Sequence, residues 1–446
     1  MSNKIYENIG LMIPDILLPK KGTDMSKWAT VACDQFTSQP DYWEETERCT
    51  NGATSTYNLM LPEIYLNCDD ADDRIANINK TMTSYLKDGI LTKHESSMIL
   101  LERTTPISPV RTGIVVALDL EKYDFRKGSD SLIRATEGTV IERIPPRMKI
   151  RKNADIEMPH IMILIDDPGR TVVEPIAKKA KSGSFECVYD FDMIQNGGHI
   201  KGYKISDESV CDNMADALAK LASKEVFTKK YDLTEDLAPL LFAVGDGNHS
   251  LASAKCHWDE VKASGANMDH PARFALCEIV NVHDSGILFE PIHRVLFGID
   301  VELFTDSLTE YFGDKATCVY GGAGTFEEAY TSEEFGKFHV IPFCSPKGNG
   351  IIYIDSSVHT LAVGAIQMYI DDYLTKNPSV TVDYVHGDDV TRTLGISENN
   401  MGILLPKMDK NDLFLTVIKN GSLPRKTFSM GEAFEKRYYI ECREIR

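Results

Sequence analysis

The amino-acid sequence predicts an α+β protein built from two units, and three observations support this. The chain has 446 residues, of which 43% are hydrophobic and 9% aromatic, a composition typical of folded globular proteins. Apolar runs of strand type alternate irregularly with segments that have the period of an amphipathic helix. After about residue 299 the elements become shorter and more closely spaced. We therefore expect a larger unit over residues 1–299 and a smaller α+β domain over residues 300–446.

The first unit is predicted to contain helices and strands in mixed order. Ile75, Ile78 and Met82 recur at helical spacing, and Gly89 follows them as a stop signal. Two apolar runs flank a loop that contains two prolines, which is typical of a hairpin. The elements expected here are the helices 70–87 and 207–223, the hairpin strands 97–103 and 111–118, and the strand 160–166.

The smaller domain is predicted from a compact alternation of short elements. The elements expected with a defined type are the helices 301–312 and 362–374, the strands 317–320 and 380–385, and a hairpin of 337–344 with 348–355. Further elements are expected at 401–405, 413–419 and 437–442.

The charge of the chain excludes several classes of protein. It has 67 acidic and 48 basic residues and a net charge of −19. Broad nucleic-acid binding needs a basic surface, and an anionic membrane attracts the same kind of surface. No secretory leader pattern and no apolar run of about 18 residues is present. The ten cysteines are scattered without a CxxC pair, which is typical of reduced thiols. We expect a cytoplasmic protein without broad nucleic-acid or membrane binding.

The segment 240–262 carries the clearest chemical signal. A buried-strand run at 240–244 is followed by the turn Gly-Asp-Gly-Asn-His and then by an amphipathic helix. Such a turn directs the N–H groups of the first helical turn toward whatever lies beyond the strand. The usual ligand at such a place is a phosphate. The segment therefore predicts an anion site at the start of the helix.

Each residue of this turn has a candidate role. Gly245 and Gly247 would permit positive φ or close backbone approach to the ligand. Asp246 could hold Mg²⁺, and His249 could donate to a phosphoryl oxygen or exchange protons near neutral pH. The alternative is a purely structural turn, in which Asp246 or Asn248 caps the helix.

The stretch 133–152 concentrates cations in an otherwise acidic chain. Such a cluster could bind an anionic ligand, whereas the alternative is a solvated helix face that balances neighbouring carboxylates. Glu137 lies at its start, where a carboxylate could act as general base toward a substrate hydroxyl. The alternative for Glu137 is a helix cap. The cations of the stretch are Arg134, Arg143, Arg147, Lys149, Arg151 and Lys152.

A second basic pair follows Pro291. His293 and Arg294 could clamp an anion together, and the alternative is a histidine packed beside a strand with an arginine at the surface. No cluster in the sequence has the spacing of a zinc site.

Three segments resemble one known family. The run that begins Gly245-Asp-Gly-Asn-His-Ser is similar to the Asp-Gly-His-His-Arg signature of the family called domain of unknown function 1015. Two more segments match this family in order: Arg134-Ala-Thr-Glu-Gly-Thr, followed by Arg143 and Arg147, and Glu290-Pro-Ile-His-Arg-Val. The family name itself implies no activity.

The strand-turn-helix box also resembles the phosphate box of the wider ParB/sulfiredoxin superfamily, which includes a free-serine kinase. The resemblance implies a ParB/sulfiredoxin-like N-terminal unit that holds nucleotide phosphates at the helix start. In that superfamily an arginine usually follows the histidine, whereas this chain has Ser250. A hydroxyl cannot replace a permanently charged, bidentate group. Arg143, Arg147 and Lys255 are the candidate substitutes.

Together these features lead us to expect a phosphotransferase that uses Mg²⁺ and a nucleotide, ATP or ADP, and acts on a small hydroxylated metabolite, for example a serine-like one. Asp246 is expected to bind the metal, and Glu137, His249 and Asp246 to be catalytic. The alternative is a non-catalytic, ParB-like nucleotide sensor. A sulfiredoxin-like activity is not supported, because no cysteine lies in the box. The residues expected to bind the nucleotide are Gly245, Gly247, Asn248, Ser250, Arg143, Arg147, His293 and Arg294.

Overall fold

The computed structural model describes residues 3–138, 141, 144–321 and 337–446. Contacts within the described chain divide it into two compact units. The first unit comprises the described residues up to Leu288 together with Gly431–Arg446, and the second comprises Phe289–Met430. The division expected from the sequence at 299/300 differs in two places. Residues 289–297 form a strand of the second sheet, and the C-terminal segment pairs with strands of the first unit.

The first unit contains a mixed sheet of eleven strands among the described residues. Its spatial order is β12 (Glu186–Asp192), β13 (His199–Ile205), β6 (Met98–Thr104), β7 (Arg111–Asp119), β15 (Phe274–Asn281), β11 (Met162–Ile165), β14 (Phe242–Asp246), β9 (Ile133–Ala135) and β8 (Tyr123–Asp124). Strands β1 (Ile5–Tyr6) and β2 (Leu11–Met12) pair with each other, and β2 also pairs with β7. Most neighbours are antiparallel, but β9 runs parallel to both β14 and β8, and β11 runs parallel to β15.

Three two-stranded ribbons and eight helices complete the described part of this unit. The ribbons are β3 (Ile16–Pro19) with β5 (Leu91–His94), β4 (Thr30–Val31) with β23 (Tyr438–Tyr439), and β10 (Ile156–Glu157) with β24 (Arg443–Glu444). The helices are α1 (Met25–Trp28), α2 (Pro40–Thr50), α3 (Ala71–Lys87), α4 (Ile144–Arg151), α5 (Val173–Lys181), α6 (Glu208–Leu221), α7 (Lys224–Lys230) and α8 (Asn248–Ala263).

The central strands of the large sheet are buried on both faces. Successive side chains of a strand point to opposite faces, so Leu100 belongs to one core cluster while Ile99 and Leu101 belong to the other. Helix α8 covers the first of these faces with Leu251 and Trp258. Burying side chains of this size stabilises the unit by about 2 kcal/mol each. This packing fixes the start of α8 at the end of β14.

The second unit contains a seven-stranded sheet and four described helices. The strand order is β17 (Ala316–Tyr320), β19 (Gly348–Asp355), β18 (Phe338–Ser345), β21 (Asn400–Ile403), β16 (Phe289–Phe297) and β20 (Thr381–His386), with β22 (Phe428–Met430) also paired to β16. The helices are α9 (Val301–Phe312), α10 (Ala362–Lys376), α11 (Asp388–Gly395) and α12 (Lys410–Asn420).

The chain is therefore a mixed α/β protein. The helices predicted over 70–87, 207–223, 301–312 and 362–374 are confirmed as α3, α6, α9 and α10. The hairpin predicted over 97–103 and 111–118 is confirmed as the antiparallel pair β6 and β7. The C-terminal element expected over 437–442 is shorter, because only Tyr438 and Tyr439 pair with β4. Within the described ranges no helix combines the length and apolar character needed to cross a membrane.

Candidate functional site

The predicted strand, turn and helix are confirmed as β14, Gly247 and α8. Gly247 has a φ of +79°, and a Cβ placed on it would come 3.1 Å from the Cα of Ile161. Only glycine adopts this conformation without a steric penalty. The first bond of the helical ladder joins the N–H of Leu251 to the Gly247 carbonyl, at 3.0 Å. The N–H groups that precede Leu251 therefore mark the anion-attracting end of α8. Gly245 belongs to β14 itself.

Asp246 lies at the end of β14 and has two contacts. Its Oδ1 accepts a hydrogen bond of 2.9 Å from the Gly247 N–H. Its Oδ2 lies 3.2 Å from the Nζ of Lys436, which the C-terminal segment brings to the turn. Lys436 is a site residue that the sequence analysis missed, because it lies far from the motif in the sequence.

Glu137 follows Thr136, which is hydrogen-bonded to Asn248 at the start of α8. The N–H of Thr136 donates to Oδ1 of Asn248 at 3.3 Å, and its hydroxyl donates to the Val244 carbonyl at 2.6 Å. Because β9 runs parallel to β14 with Ala135 opposite Val244, the chain continues beside the turn. The structure thus brings the neighbourhood of Glu137 to the start of α8.

The helix of the basic stretch packs against the helix of the turn. Helix α4 contacts α8. Arg147 forms an ion pair with Glu63, and Arg151 pairs with Glu157 at 2.5 Å. Arg134 donates to backbone carbonyls, among them that of Ser131 at 2.7 Å. Carboxylates or carbonyls therefore already face these cations. Arg143 lies outside the described residues.

A cavity of about 140 Å³ lies between α4, α8 and the C-terminal segment. Apolar side chains form much of its wall. The polar residues that line it are Cys33, Arg147, Arg151, Glu157, His160, Ser250 and Ser253, together with the hydroxyl-bearing Tyr439.

Ser250 lies at one end of a chain of hydrogen bonds that continues through His160 and Tyr439 to Cys33. Its Oγ lies 2.5 Å from Nε2 of His160, and Nδ1 of His160 lies 2.8 Å from the Tyr439 hydroxyl. The Tyr439 hydroxyl donates to Sγ of Cys33 and accepts from the Cys33 N–H, each at 3.2 Å. Burial, with a smaller contribution from Asp34, raises the pKa of Cys33 to about 12. The thiol is therefore protonated at neutral pH and is a poor nucleophile.

Asp34 adds a second carboxylate to this neighbourhood. It is partly exposed, and Nε2 of Gln35 donates to its Oδ1 at 2.9 Å. Burial acts to raise its pKa, but His160, the Gln35 hydrogen bond and the charge of Lys436 together outweigh burial and lower it. The sequence signal for Asp34 is a polar pair directly after a strand-like run, and the sequence analysis did not use it.

Two further predicted residues, His249 and Lys255, lie on α8. His249 is a partly exposed residue in the first turn of α8, and its carbonyl accepts from the Ser253 hydroxyl at 2.7 Å. Lys255 pairs with Asp259 at 2.7 Å, one turn further along the helix.

His293 and Arg294 belong to the second unit and are buried there. Nε2 of His293 lies 2.8 Å from Asp388, and its Nδ1 accepts from the Leu405 N–H at 2.9 Å. Arg294 is buried, whereas the structural alternative expected it at the surface. It donates to carbonyls of its own unit and to the side chain of Gln367. Their assignment to the nucleotide stays a prediction without a geometric basis.

A larger cavity of about 710 Å³ lies within the second unit. Four carboxylates and one lysine contribute to its wall, and none of the predicted site residues does. We therefore place the candidate site at the start of α8. The charged residues of this larger cavity are Glu290, Asp388, Lys407, Asp409 and Asp412.

The turn offers few side chains that could bind a metal ion. Among the residues that the structure describes, no group of three or more His, Cys, Asp or Glu side chains could hold a metal ion. Asp246 offers one carboxylate, and Asp34 lies close enough to Lys436 to be influenced by its charge. Mg²⁺ is commonly bound by one or two carboxylates together with substrate phosphates and water. The residues therefore fit a Mg²⁺ ion that arrives with a phosphate ligand, and they do not form a separate metal cage.

Several solved structures are distantly similar to this chain, among them the following three. A free serine kinase variant in complex with AMP matches with a TM-score of 0.40 and 11% identity, over 76% of this chain and 94% of that chain. A conserved hypothetical protein from Pyrococcus furiosus matches with a TM-score of 0.36 and 11% identity, over 73% and 94% of the two chains. SbnI with a C-terminal truncation from Staphylococcus aureus matches with a TM-score of 0.35 and 9% identity, over 71% and 83%.

Similarity at this level carries no argument about chemistry. A search of curated protein sequences finds no match. The family model described as "Protein of unknown function (DUF1015)" matches residues 17–389, which is most of the chain and includes the turn. The family expected from the sequence motifs is thereby confirmed. This chain belongs to the DUF1015 family.

Proposed function

We propose that the first unit binds a nucleotide, ATP or ADP, through its phosphates at the start of α8. We further propose that it transfers a phosphoryl group to a small hydroxylated metabolite, for example a serine-like one. One observation carries the binding proposal: a left-handed glycine opens a sixteen-residue helix, and Lys436 lies at the same turn. Helix starts of this kind bind phosphate through backbone N–H groups. The proposal includes a ParB/sulfiredoxin-like phosphate box in this unit.

Lys436 would supply the positive charge of the arginine that usually follows the histidine, a position that Ser250 occupies in this chain. Its Nζ faces Asp246 at 3.2 Å, so it is held at the turn before any ligand arrives. A lysine binds phosphate as a point charge. Arg147 lines the adjacent cavity and would add a second cation if its pairing with Glu63 changed.

Asp246 is the proposed metal ligand, with Asp34 as the second carboxylate near Lys436. When Mg²⁺ is bound, it would neutralise charge on the phosphate oxygens. Glu137 is the proposed base for the acceptor hydroxyl, since the adjacent Thr136 is hydrogen-bonded to Asn248. His249, in the first turn of α8, is proposed to hold or move a proton at a phosphoryl oxygen.

The expected ligands are small molecules, since an excess of 67 acidic over 48 basic residues disfavours broad nucleic-acid binding. All ten cysteines are free thiols. This supports our proposal of a reducing, cytoplasmic compartment.

The first test is nucleotide binding measured by calorimetry with ATP, ADP and CTP in the presence of Mg²⁺. Lys436→Met should weaken binding of the preferred nucleotide at least about tenfold, because one charge-assisted contact is lost. Lys262→Met is the matched control, since Lys262 lies at the far end of α8 and pairs with Glu121. Equal affinities in both variants, or no binding of any nucleotide, would overturn the proposed site.

The second test is product formation with hydroxy amino acids as acceptors, followed by mass spectrometry. A phosphorylated product supports the phosphotransferase. Tight nucleotide binding without transfer to any hydroxylated compound would instead favour the nucleotide sensor.

A further inference from the structure

We propose that Ser250 is a nucleophile that accepts a phosphoryl group on Oγ, with His160 as its base and Tyr439 as the residue that positions His160. The identity of the phosphoryl donor rests on the proposed function, since a nucleotide bound at the start of α8 would supply the group. The hydrogen-bonded chain itself is independent of that assignment.

The geometry is that of a nucleophile and its base. Oγ of Ser250 and Nε2 of His160 lie 2.5 Å apart, and Nδ1 of His160 lies 2.8 Å from the Tyr439 hydroxyl. A serine becomes nucleophilic when a base within hydrogen-bond reach is itself oriented by a third group. Both conditions are met here by residues from different parts of the first unit.

The hydrogen bonds around Tyr439 support one tautomer of His160. The Tyr439 hydroxyl donates to Sγ of Cys33, accepts from the Cys33 N–H and can accept once more. In the tautomer that we propose, Nδ1 of His160 is the donor to Tyr439. In the neutral imidazole this leaves Nε2 as an acceptor for the Ser250 hydroxyl.

The surroundings favour a phosphoryl substrate over a neutral ester. Ser250 lies in the first turn of α8, where the helix attracts negative charge. Arg147 lines the same cavity, and Lys436 lies at the preceding turn. Cys33 does not compete as the nucleophile, because its buried thiol stays protonated at neutral pH.

The proposed step balances as follows. The Ser250 oxygen forms a bond to the terminal phosphorus of the nucleotide while the bond from phosphorus to the bridging oxygen breaks. The hydroxyl proton moves to Nε2 of His160, and the shortened nucleotide leaves as its anion. In the return step the acceptor oxygen forms a bond to phosphorus while the bond from phosphorus to Oγ of Ser250 breaks, and Ser250 regains the proton from His160. The proton of the acceptor hydroxyl goes to Glu137 and then to solvent.

A fluorophosphonate probe tests the nucleophile without a nucleotide. The probe should label Ser250 in the full-length protein, as located by peptide mass spectrometry. Ser250→Ala should abolish the label, and His160→Gln should slow labelling by about 10²-fold or more. Ser253→Ala is the matched control: Ser253 lies on the same helix and lines the same cavity, but its hydroxyl donates to the His249 carbonyl. Its labelling should equal that of the wild type.

The pH profile separates positioning by Tyr439 from a merely structural role. Labelling of the wild type should rise with one ionisation, which should vanish in His160→Gln. In Tyr439→Phe the labelling rate should fall and the midpoint of the profile should move, because Nδ1 loses its acceptor. Thermal unfolding of each variant checks that it is folded. Absence of labelling in the folded wild type, or labelling that is unchanged in folded His160→Gln, would overturn the proposal.

Incubation with nucleotide carrying a labelled terminal phosphate, without acceptor, completes the test. Phosphoserine at Ser250 that disappears on addition of acceptor supports the covalent step. Product formation at the wild-type rate by Ser250→Ala would overturn it. If no nucleotide binds but the fluorophosphonate labels Ser250 in a His160-dependent way, the proposed function fails and the nucleophile stands.

Discussion

Nζ of Lys436 lies 3.2 Å from Oδ2 of Asp246, although the whole second unit separates the two residues in the sequence. The contact exists because the C-terminal segment returns to the first unit and pairs with β4. It joins the motif at the end of β14 to a cation that no local pattern indicates. The candidate site therefore combines residues that lie far apart in the sequence.

Asp246→Asn should abolish phosphoryl transfer while the protein remains folded. The amide would leave Lys436 without its anionic partner and would bind Mg²⁺ poorly. We expect kcat to fall by about 10²–10⁴-fold. Steady-state kinetics with the accepted hydroxylated substrate, together with circular dichroism, measure both effects. Wild-type turnover in this variant would contradict the assigned role of Asp246.

Glu137→Gln should depress kcat more than nucleotide affinity. The change removes a base but keeps the size of the side chain, so the phosphate contacts at α8 remain. The expected loss in kcat is about 10²–10⁴-fold. Calorimetry provides the affinity and single-turnover kinetics the rate. A wild-type kcat in the folded Glu137→Gln variant would contradict the assigned role of Glu137 as the base.

Gly247→Ala should destabilise the first unit more than Gly183→Ala does. Both glycines have a φ of +79°, but a Cβ at Gly183 meets no atom within 4 Å. The left-handed conformation costs each alanine variant about 1–2 kcal/mol. At Gly247 the backbone of Ile161 would also have to shift, which adds about 1 kcal/mol or more. Chemical unfolding of the two variants measures the difference, and equal values would show that the turn tolerates a side chain.

The stability of the protein should decrease between about pH 6.5 and pH 4 through His257. Burial, and then repulsion by Arg151, lower the pKa of His257 from 6.5 to about 4. In this window the unfolded chain binds a proton that the folded protein does not, so protonation favours unfolding as the pH falls. The contribution is on the order of 2 kcal/mol. His257→Leu should remove this part of the pH dependence of the free energy of unfolding. An unchanged slope would show that His257 is protonated in the folded protein.

Glu278→Gln should be strongly destabilising. Glu278 is fully buried, and its carboxylate accepts from Arg437 at 2.5 Å and lies 3.4 Å from Arg111. Removing one partner of a buried ion pair leaves the other uncompensated, at a cost of about 3–5 kcal/mol. The exposed pair of Lys376 and Asp372 is the control, and Asp372→Asn should change stability by less than about 0.5 kcal/mol. Urea unfolding of both variants tests this contrast.

Local signals in the sequence are enough to predict several of the elements. Ile75, Ile78 and Met82 repeat at helical spacing, and the helix follows from that period whatever it packs against. The sequence also predicts the turn at Gly247, because a residue with left-handed φ between a buried strand and a helix is favoured to be glycine. The family followed from the same motifs, since they are short runs of adjacent residues.

Which residues meet at the start of α8 depends on how distant segments pack together. His160, Tyr439 and Lys436 lie in segments with no spacing relation to the motif, and sheet pairing brings them together. Tertiary structure also decided that Arg147 faces Glu63 and that His293 is buried in the second unit. Hydrophobic periodicity specifies which face of an element is buried, whereas the partner across that face depends on how distant strands and helices pack together.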